Sequence, residues 1–422
     1  MTQLAEDCFA FGAKSMTVAE ALDVLRACVT AVAEIESVPL ARGRGRILAE
    51  DVVSARAVPP HDNSAVDGYA FHFDDLVPDT ETRLSLAGRA AAGHPLGRAT
   101  RRGEAIRIFT GAAMPQGEAG GPDTVVMQEN ARAESGAVVI PHGLMRGANR
   151  RRAGEDVAAG TVILRAGARL RPQDLGLAAS IGRTGLSVRR KLRIAIFSTG
   201  DELREPGGEA PPGTLYDANR FTLSALVEGT GARVTDLGIL PDDHGAIRAA
   251  LAEAAQGHDA VATSGGMSTG EEDYVRGAVE SLGRFHFWRL AIKPGRPVGL
   301  GQIGRVPFIG LPGNPVAMAV TFLMLARPLL LGLAGARATE PRRYRVRAGF
   351  GHAKRPGRRE WLGVRLEDGA DGVPIARKFP RAGAGILSSL VAADGLVELA
   401  EPVEALDEGA LVDYLPFSEV DR

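Results

Sequence analysis

The sequence predicts a multidomain protein of the α/β plus β class, with a doubly wound, mostly parallel α/β domain in its second half. Three observations predict it. Residues 192–333 alternate strand and helix patterns with unusual regularity, the pattern of a parallel sheet covered by helices on both faces. Residues 55–150 and 344–417 instead carry short β-branched runs separated by Gly, Pro and Asp. The length of 422 residues, 45% hydrophobic and 24% charged, suffices for about two to four domains, each with its own core.

Taken in order, residues 15–33 place Val18, Leu22, Leu25, Val29 and Val32 at helical spacing, with Ser15 or Thr17 as N-cap. Strand runs follow at 105–109, 124–129 and 137–141. A Gly-punctuated stretch, 154–185, holds one helix over 171–180 with Pro172 in its first turn, and reads as a connector back to the domain of the first helix. The α/β part then gives strand 192–197, helix 220–229, strand 232–239, helix 244–256, strand 259–263 and helix 271–282. A hairpin-like pair at 285–290 and 297–301, strand 306–309 and a long apolar helix complete it. That helix, 315–336, is interrupted by Arg327 and Pro328, so its stretches fall short of the roughly 20 residues that span a bilayer. It reads as a buried core helix. Asp-Gly turns at 368–369, 371–372 and 394–395 punctuate a small separate β domain at the C-terminal end.

Composition narrows the function. The formal net charge is −1 and the basic residues, mostly Arg, are scattered, which gives no support to nucleic acid or an anionic membrane as partner. Cys8 and Cys28 supply neither a disulfide framework nor a Cys-based metal site. No basic-then-apolar leader opens the sequence, and a cytoplasmic location is the expectation. The eight histidines form no HxxxH or HxH pair, against a zinc hydrolase, and the absence of GxSxG argues against an α/β-hydrolase.

Ligands of doubly wound sheets sit beyond the carboxyl ends of the strands. The first strand runs into Ser198-Thr199-Gly200-Asp201-Glu202, whose adjacent carboxylates suit a hard cation such as Mg²⁺ bound with phosphate oxygens; a turn with a capping Asp is the plainer alternative. The third ends in Thr263-Ser264-Gly265-Gly266, where glycine backbone allows a close approach to an anion. Lys293-Pro294-Gly295-Arg296-Pro297 presents two cations on a stiffened turn, and Gly310-Leu311-Pro312-Gly313-Asn314-Pro315 a second rigid loop. Cations held without freedom to relax suit an oxyanion, whereas alone they are more often a solvated surface pair. Convergence of four such loops on one sheet edge favours a site. In the β region, residues 59–70 are too polar for a strand, and Asp62 or Asp67 is a candidate ligand contact. Thr110 is a hydroxyl at a strand end, and Arg150 to Asp156 cluster charge at a domain junction.

These segments together resemble the molybdopterin molybdenumtransferase family, the bacterial MoeA proteins and the E-domain of gephyrin. The matching blocks are Asp62-Asn63-Ser64-Ala65-Val66-Asp67-Gly68-Tyr69-Ala70, Thr110-Gly111-Ala112, Arg152-Ala153-Gly154-Glu155-Asp156, Ser198 to Leu203, Ser264-Gly265-Gly266, Ile292 to Pro297 and Leu311 to Pro315. They come in the family's order and cover nearly the whole chain. Arg296, Ala317 and Arg289 stand where the family commonly has Lys, Ser and Lys.

The resemblance implies a homodimer of four-domain subunits. A dimerising segment would comprise 1–54 and 153–190, a β lid 55–152, a MogA-like molybdopterin-binding domain 191–335 and a C-terminal β-barrel 340–420. It places Asp62, Thr110 and Asp156 on the lid side. Glu202, Asp242 and Asp273 would surround the pterin nucleotide, and Lys293, Pro312 and Pro315 would line the cleft, with Arg358 and Ser388 contributed by the last domain. A divalent cation would be held among Asp201, Glu202, Asp242 and Asp273. Lys293, Arg296 and Arg358 would hold molybdate, with Ser198, Thr199, Gly200, Ser264, Gly265, Gly266, Gly313 and Asn314 among the further substrate contacts. Adenylylated molybdopterin and molybdate are the implied substrates and AMP a product. Two alternatives remain at this point: an adenylyltransferase, which would need only the α/β domain, and a pterin-binding scaffold, which would have no use for Glu202 and Lys293.

Overall fold

The computed structural model describes residues 9, 15–266, 274–295, 297–381 and 383–420. The chain divides into two compact units: Met1–Glu50 with Ala166–Arg171 and Gly185–Arg422, and Asp51–Arg165 with Pro172–Thr184.

The larger unit contains the predicted α/β sheet. Its six strands run in the order Arg233–Leu240, Arg193–Thr199, Ala260–Ser264, Val306–Leu311, Pro297–Ile303 and Gly283–Arg289. The first four are parallel and Pro297–Ile303 is antiparallel to both its neighbours, so the expected hairpin-like pair is present as Gly283–Arg289 against Pro297–Ile303 and makes the edge mixed. Alternation along one strand assigns the two faces. Ile194 and Ile196 enter the core with Leu223, Val227 and Met318. Ala195 and Phe197 enter another with Ile247, Leu251, Val275 and Val279. Strand residues 194–199 are all buried, as expected of a sheet covered on both faces.

The first helix is shorter than its apolar spacing suggested, Val18–Cys28. Thr17 and Glu20 form a reciprocal capping box at its start. It ends because Val29 turns extended and the Val32 N–H donates instead to the Leu333 carbonyl. The long apolar helix runs without a break from Pro315 to Leu333, through Pro328. By length and composition it could cross a membrane, but it is 94% buried inside the structure, so it is a core helix. A proline inside a helix lacks an N–H and clashes with the carbonyl four residues earlier. The wider π-helical turn at Phe322–Ala326, just before Pro328, absorbs both.

The C-terminal strands close on themselves. Arg359–Glu367, Ile375–Lys378, Tyr344–Ala348, Leu411–Pro416 and Gly395–Leu399 pair in that order, and the last returns to the first, giving a five-stranded barrel. Ile292–Lys293, leaving the α/β sheet, pairs in parallel with Arg359–Glu360 and ties the two domains.

The smaller unit is built on a six-stranded sheet ordered Thr124–Met127, Gly68–Phe71, Glu104–Ile108, Thr82–Ala90, Ala137–Ile140 and Arg132–Glu134. Here the expectation that 59–70 is no strand is corrected. Asn63–Ser64 pairs with Arg150–Arg151, and Gly68–Phe71 is a fully buried central strand. Its residues feed two cores, Tyr69 and Phe71 one and Ala70 the other, so no polar alternation marks it. A β-carbon at Gly68 would fall 1.8 Å from the Val126 carbonyl oxygen, which requires glycine there. Helix Pro172–Ser180, expected to lead back to the first helix, belongs to this unit and packs on Val162–Leu164.

Candidate active site

At the carboxyl edge of the parallel strands the loops lock to one another. The Thr199 hydroxyl and the Asp201 N–H both donate to the Asp242 carboxylate, the second at 3.1 Å. Asn219, opening its helix, donates to the Ser264 hydroxyl at 2.9 Å and to the Gly313 carbonyl at 2.6 Å, and Ser264 donates to the Pro312 carbonyl at 3.4 Å. The Gly265 N–H reaches the Leu311 carbonyl at 3.1 Å. Both glycines have φ in the left-handed region, +96° and +61°, and a β-carbon on Gly266 would meet Val275 at 2.6 Å. The edge is therefore a rigid, backbone-lined surface of the kind that admits a phosphate.

Three of the four predicted loops meet here, and their side chains divide the work. Ser198 is fully buried within its strand, out of a ligand's reach, and Ser264 acts as a latch between loops. Pro312 is buried, whereas Gly313 and Asn314 are exposed and Pro315 opens the following helix. Asp201 and Glu202 are exposed, and the Glu202 carboxylate lies over Gly200, 2.6 Å from where a β-carbon there would stand. Asp273 lies outside the described residues. Among the described residues no group of three or more His, Cys, Asp or Glu is placed to hold a metal ion. Asp242, expected among the metal ligands, uses both oxygens to clamp the first loop.

Sequence reasoning missed Asn219 and the anchor beside it. The Arg220 guanidinium, 5% exposed, pairs with Asp217 at 3.1 Å, with Glu205 at 2.6 Å and with Asp236. Burial pulls its pKa down and these acids more than reverse that, leaving it raised. Glu205 and Asp217 flank the small pair Leu203–Arg204 and Leu215–Tyr216, which is joined to the first loop by the Leu203 N–H to the Gly200 carbonyl and the Leu215 N–H to the Glu202 carbonyl.

The fourth loop leads into a cavity of about 290 Å³ between the α/β domain and the barrel. Lys293, His352, Lys378 and Arg381 line it with one acid, Glu360. Lys293 Nζ lies 2.8 Å from Glu360 Oε1, and His352 Nε2 lies 3.2 Å from the same oxygen. Lys378 Nζ lies 3.4 Å from His352 Nδ1. Burial pushes the His352 imidazole below its ordinary value; Glu360 opposes this, and Lys378 and Lys293 add to it. Ser389 lines the cavity, whereas the predicted Ser388 is exposed on the adjoining turn of helix. Arg358 is half-buried and forms no ion pair among the described residues. Arg296 lies outside them. Gly313 to Val316 is the wall shared with the strand edge: a β-carbon on Gly313 would touch Gly265, and the Val316 N–H donates to the Ala384 carbonyl at 2.9 Å.

In the smaller unit, Asp62 is already occupied. Arg150 Nε donates to it at 2.6 Å and the Ala153 N–H at 2.7 Å. Burial raises its pKa, but these bonds more than reverse that and hold the carboxyl below the usual carboxylate range. The Thr110 N–H and hydroxyl both donate to Asp67 at 2.8 Å, which holds that carboxyl down as well. Asp156 is exposed. Asp62 and Asp67 thus hold the turns 150–153 and 109–111 in place.

Comparison with known proteins agrees with this architecture. Three family models match in order: the MoeA N-terminal region (domain I and II) over residues 16–182, a probable molybdopterin binding domain over 195–332 and the MoeA C-terminal region (domain IV) over 345–417. The chain is 42% identical to a molybdopterin molybdenumtransferase of Haemophilus influenzae over 72% of this chain and 74% of that one. It is 36% identical to one of Nostoc over 80% and 78%. Among solved structures, a molybdopterin biosynthesis MoeA protein from Pyrococcus horikoshii superposes with a TM-score of 0.81 at 29% identity, covering 96% of this chain and 100% of that one. This chain belongs to the molybdopterin molybdenumtransferase family, transferases of molybdenum cofactor biosynthesis.

Proposed function

We propose that the chain joins molybdate to adenylylated molybdopterin and releases AMP. The observation that carries this is the wall Gly313 to Val316, with a backbone-lined strand edge on one side and a cationic cavity on the other. The strand edge, through Thr199, Gly200, Gly265 and Gly266, takes the pterin nucleotide's phosphates. The cavity takes molybdate, with Lys293, Arg296 and Arg358 supplying charge. Two reactants fixed on either side of one short turn react with the advantage of an intramolecular step. The two dithiol sulfurs bind molybdenum as one molybdate oxygen leaves with their two protons as water, and one water adds across the pyrophosphate, so that AMP leaves and the pterin keeps its terminal phosphate. The protein supplies no nucleophile for this; its groups hold the reactants and neutralise charge.

Asp62, Thr110 and Asp156 enter the proposal as lid-side contacts, in a homodimer located in the cytoplasm. A divalent cation such as Mg²⁺ fits only as one arriving on the substrate's phosphates and meeting one or two carboxylates, for which Asp201 and Glu202 are the exposed candidates; it would withdraw charge from the phosphorus.

The test is incubation of the purified protein with adenylylated molybdopterin, with and without molybdate, and separately with molybdopterin and ATP. AMP that appears in response to molybdate is the expected result. Pyrophosphate from the second mixture would identify an adenylyltransferase, and neither product a scaffold.

A further inference from the structure

We propose that binding of an oxyanion in the barrel-side cavity is coupled to protonation of His352 through Glu360. The inference rests on the reading of that cavity as the molybdate subsite, and it gives roles to three residues, His352, Glu360 and Lys378, that no sequence motif marked.

Glu360 is a carboxylate inside an anion pocket. Its side chain is only 5% exposed, and an unneutralised carboxylate there would repel a dianion. One oxygen, Oε1, serves both Lys293 at 2.8 Å and His352 Nε2 at 3.2 Å. On the far side of the imidazole, Lys378 Nζ sits 3.4 Å from Nδ1. An ammonium is a donor only, so Nδ1 accepts and carries no proton, and Nε2–H donates to Glu360. The empty cavity thus holds His352 neutral by geometry, between a carboxylate it donates to and a cation it accepts from. Other charges stand nearby, with Arg358, Glu401 and Glu404 around Lys354. Lys354 approaches Glu360 but is tied to the Glu401 and Val403 carbonyls at 3.1 and 2.7 Å, and Arg381 lines the cavity.

A dianion entering the cavity competes for both lysines. Lys293, 59% exposed and held by a single contact, turns from Glu360 to the anion, and Lys378 turns from Nδ1. Glu360 then keeps one partner, His352, and Nδ1 is open to a proton from solvent. The imidazolium that forms neutralises Glu360 in place of Lys293. Because burial depresses the imidazole in the empty cavity and the anion raises it, the occupied state binds more protons. Affinity therefore rises as pH falls between the occupied-state and the empty-state pKa, the latter lying below the ordinary 6.5, and is lost as pH rises through the former.

The experiment is calorimetric titration of the full-length protein with molybdate in two non-oxyanion buffers of different protonation enthalpy, repeated from pH 8 to pH 6. The expected result is net proton uptake and an affinity that climbs by up to about tenfold per pH unit within the window. His352→Gln, whose amide still donates to Glu360, should bind molybdate without proton uptake and with a flat profile. Binding that requires Lys293 but takes up no proton, or an unchanged pH slope in His352→Gln, overturns the coupling alone. Binding that survives Lys293→Ala unaltered overturns the reading of the cavity and the coupling with it.

Discussion

Lys293→Ala is expected to raise the molybdate concentration needed for half-maximal AMP release by about 10- to 100-fold, the value of one lost charge-assisted hydrogen bond of roughly 1.5–3 kcal/mol. The loss has two parts. The ammonium is removed from the cavity, and Glu360, 5% exposed, is left with His352 as its one remaining cavity partner. The fold should stand, since the Lys293 side chain is 59% exposed and its strand pairing to Arg359–Glu360 is made by backbone. Affinity for the pterin nucleotide should change little, because those contacts lie on the other side of the Gly313 to Val316 wall. Glu202→Gln should show the opposite pattern, with AMP release falling at saturating molybdate. Near-wild-type kinetics in both variants would remove these assignments.

Arg220→Met is expected to cost about 3–5 kcal/mol of folding stability, read from the denaturant midpoint, because breaking a buried pair strands the partner charge. Asp217, its side chain 1% exposed, is that partner, whereas Glu205 and Asp236 at 56% and 41% exposed can turn to water. The pair Leu203–Arg204 and Leu215–Tyr216 loses its anchor at the same time, and with it the support of Gly200 to Glu202. Nucleotide binding should therefore weaken alongside stability. Replacing Asp217 as well, in Arg220→Met with Asp217→Leu, should recover much of the stability, since an apolar pair leaves no charge unpaired. A cost under about 1 kcal/mol for the single variant would show that the network is not what holds this loop.

The parallel core of the α/β domain was legible because each strand is a short run rich in apolar residues ended by Gly or Pro, and each helix repeats at 3.6 residues. Gly68–Phe71 was not, because a strand buried on both faces lacks the alternation that marks a half-buried one, and its polar lead-in from Asp62 resembled a loop. The run through Pro328 was hidden for a different reason: a π-helical turn leaves no trace in spacing. In the site, the loops after strands were found from their glycines and carboxylates. Asn219 and Arg220 were not, since their partners Ser264, Gly313 and Asp236 come together only when the sheet is assembled. The cavity was half seen. Lys293 sits in a recognisable Pro-Gly turn, whereas His352, Glu360 and Lys378 lie on three separate strands with no local pattern to join them.

The central claim is that one turnover releases AMP and leaves molybdenum on the pterin. The measurement that tests it most directly is the metal content of the pterin product, set against AMP, after a single turnover of the wild-type protein with adenylylated molybdopterin and molybdate. The account predicts molybdenum and AMP in equal amounts. AMP released with metal-free pterin, which is hydrolysis, would contradict it.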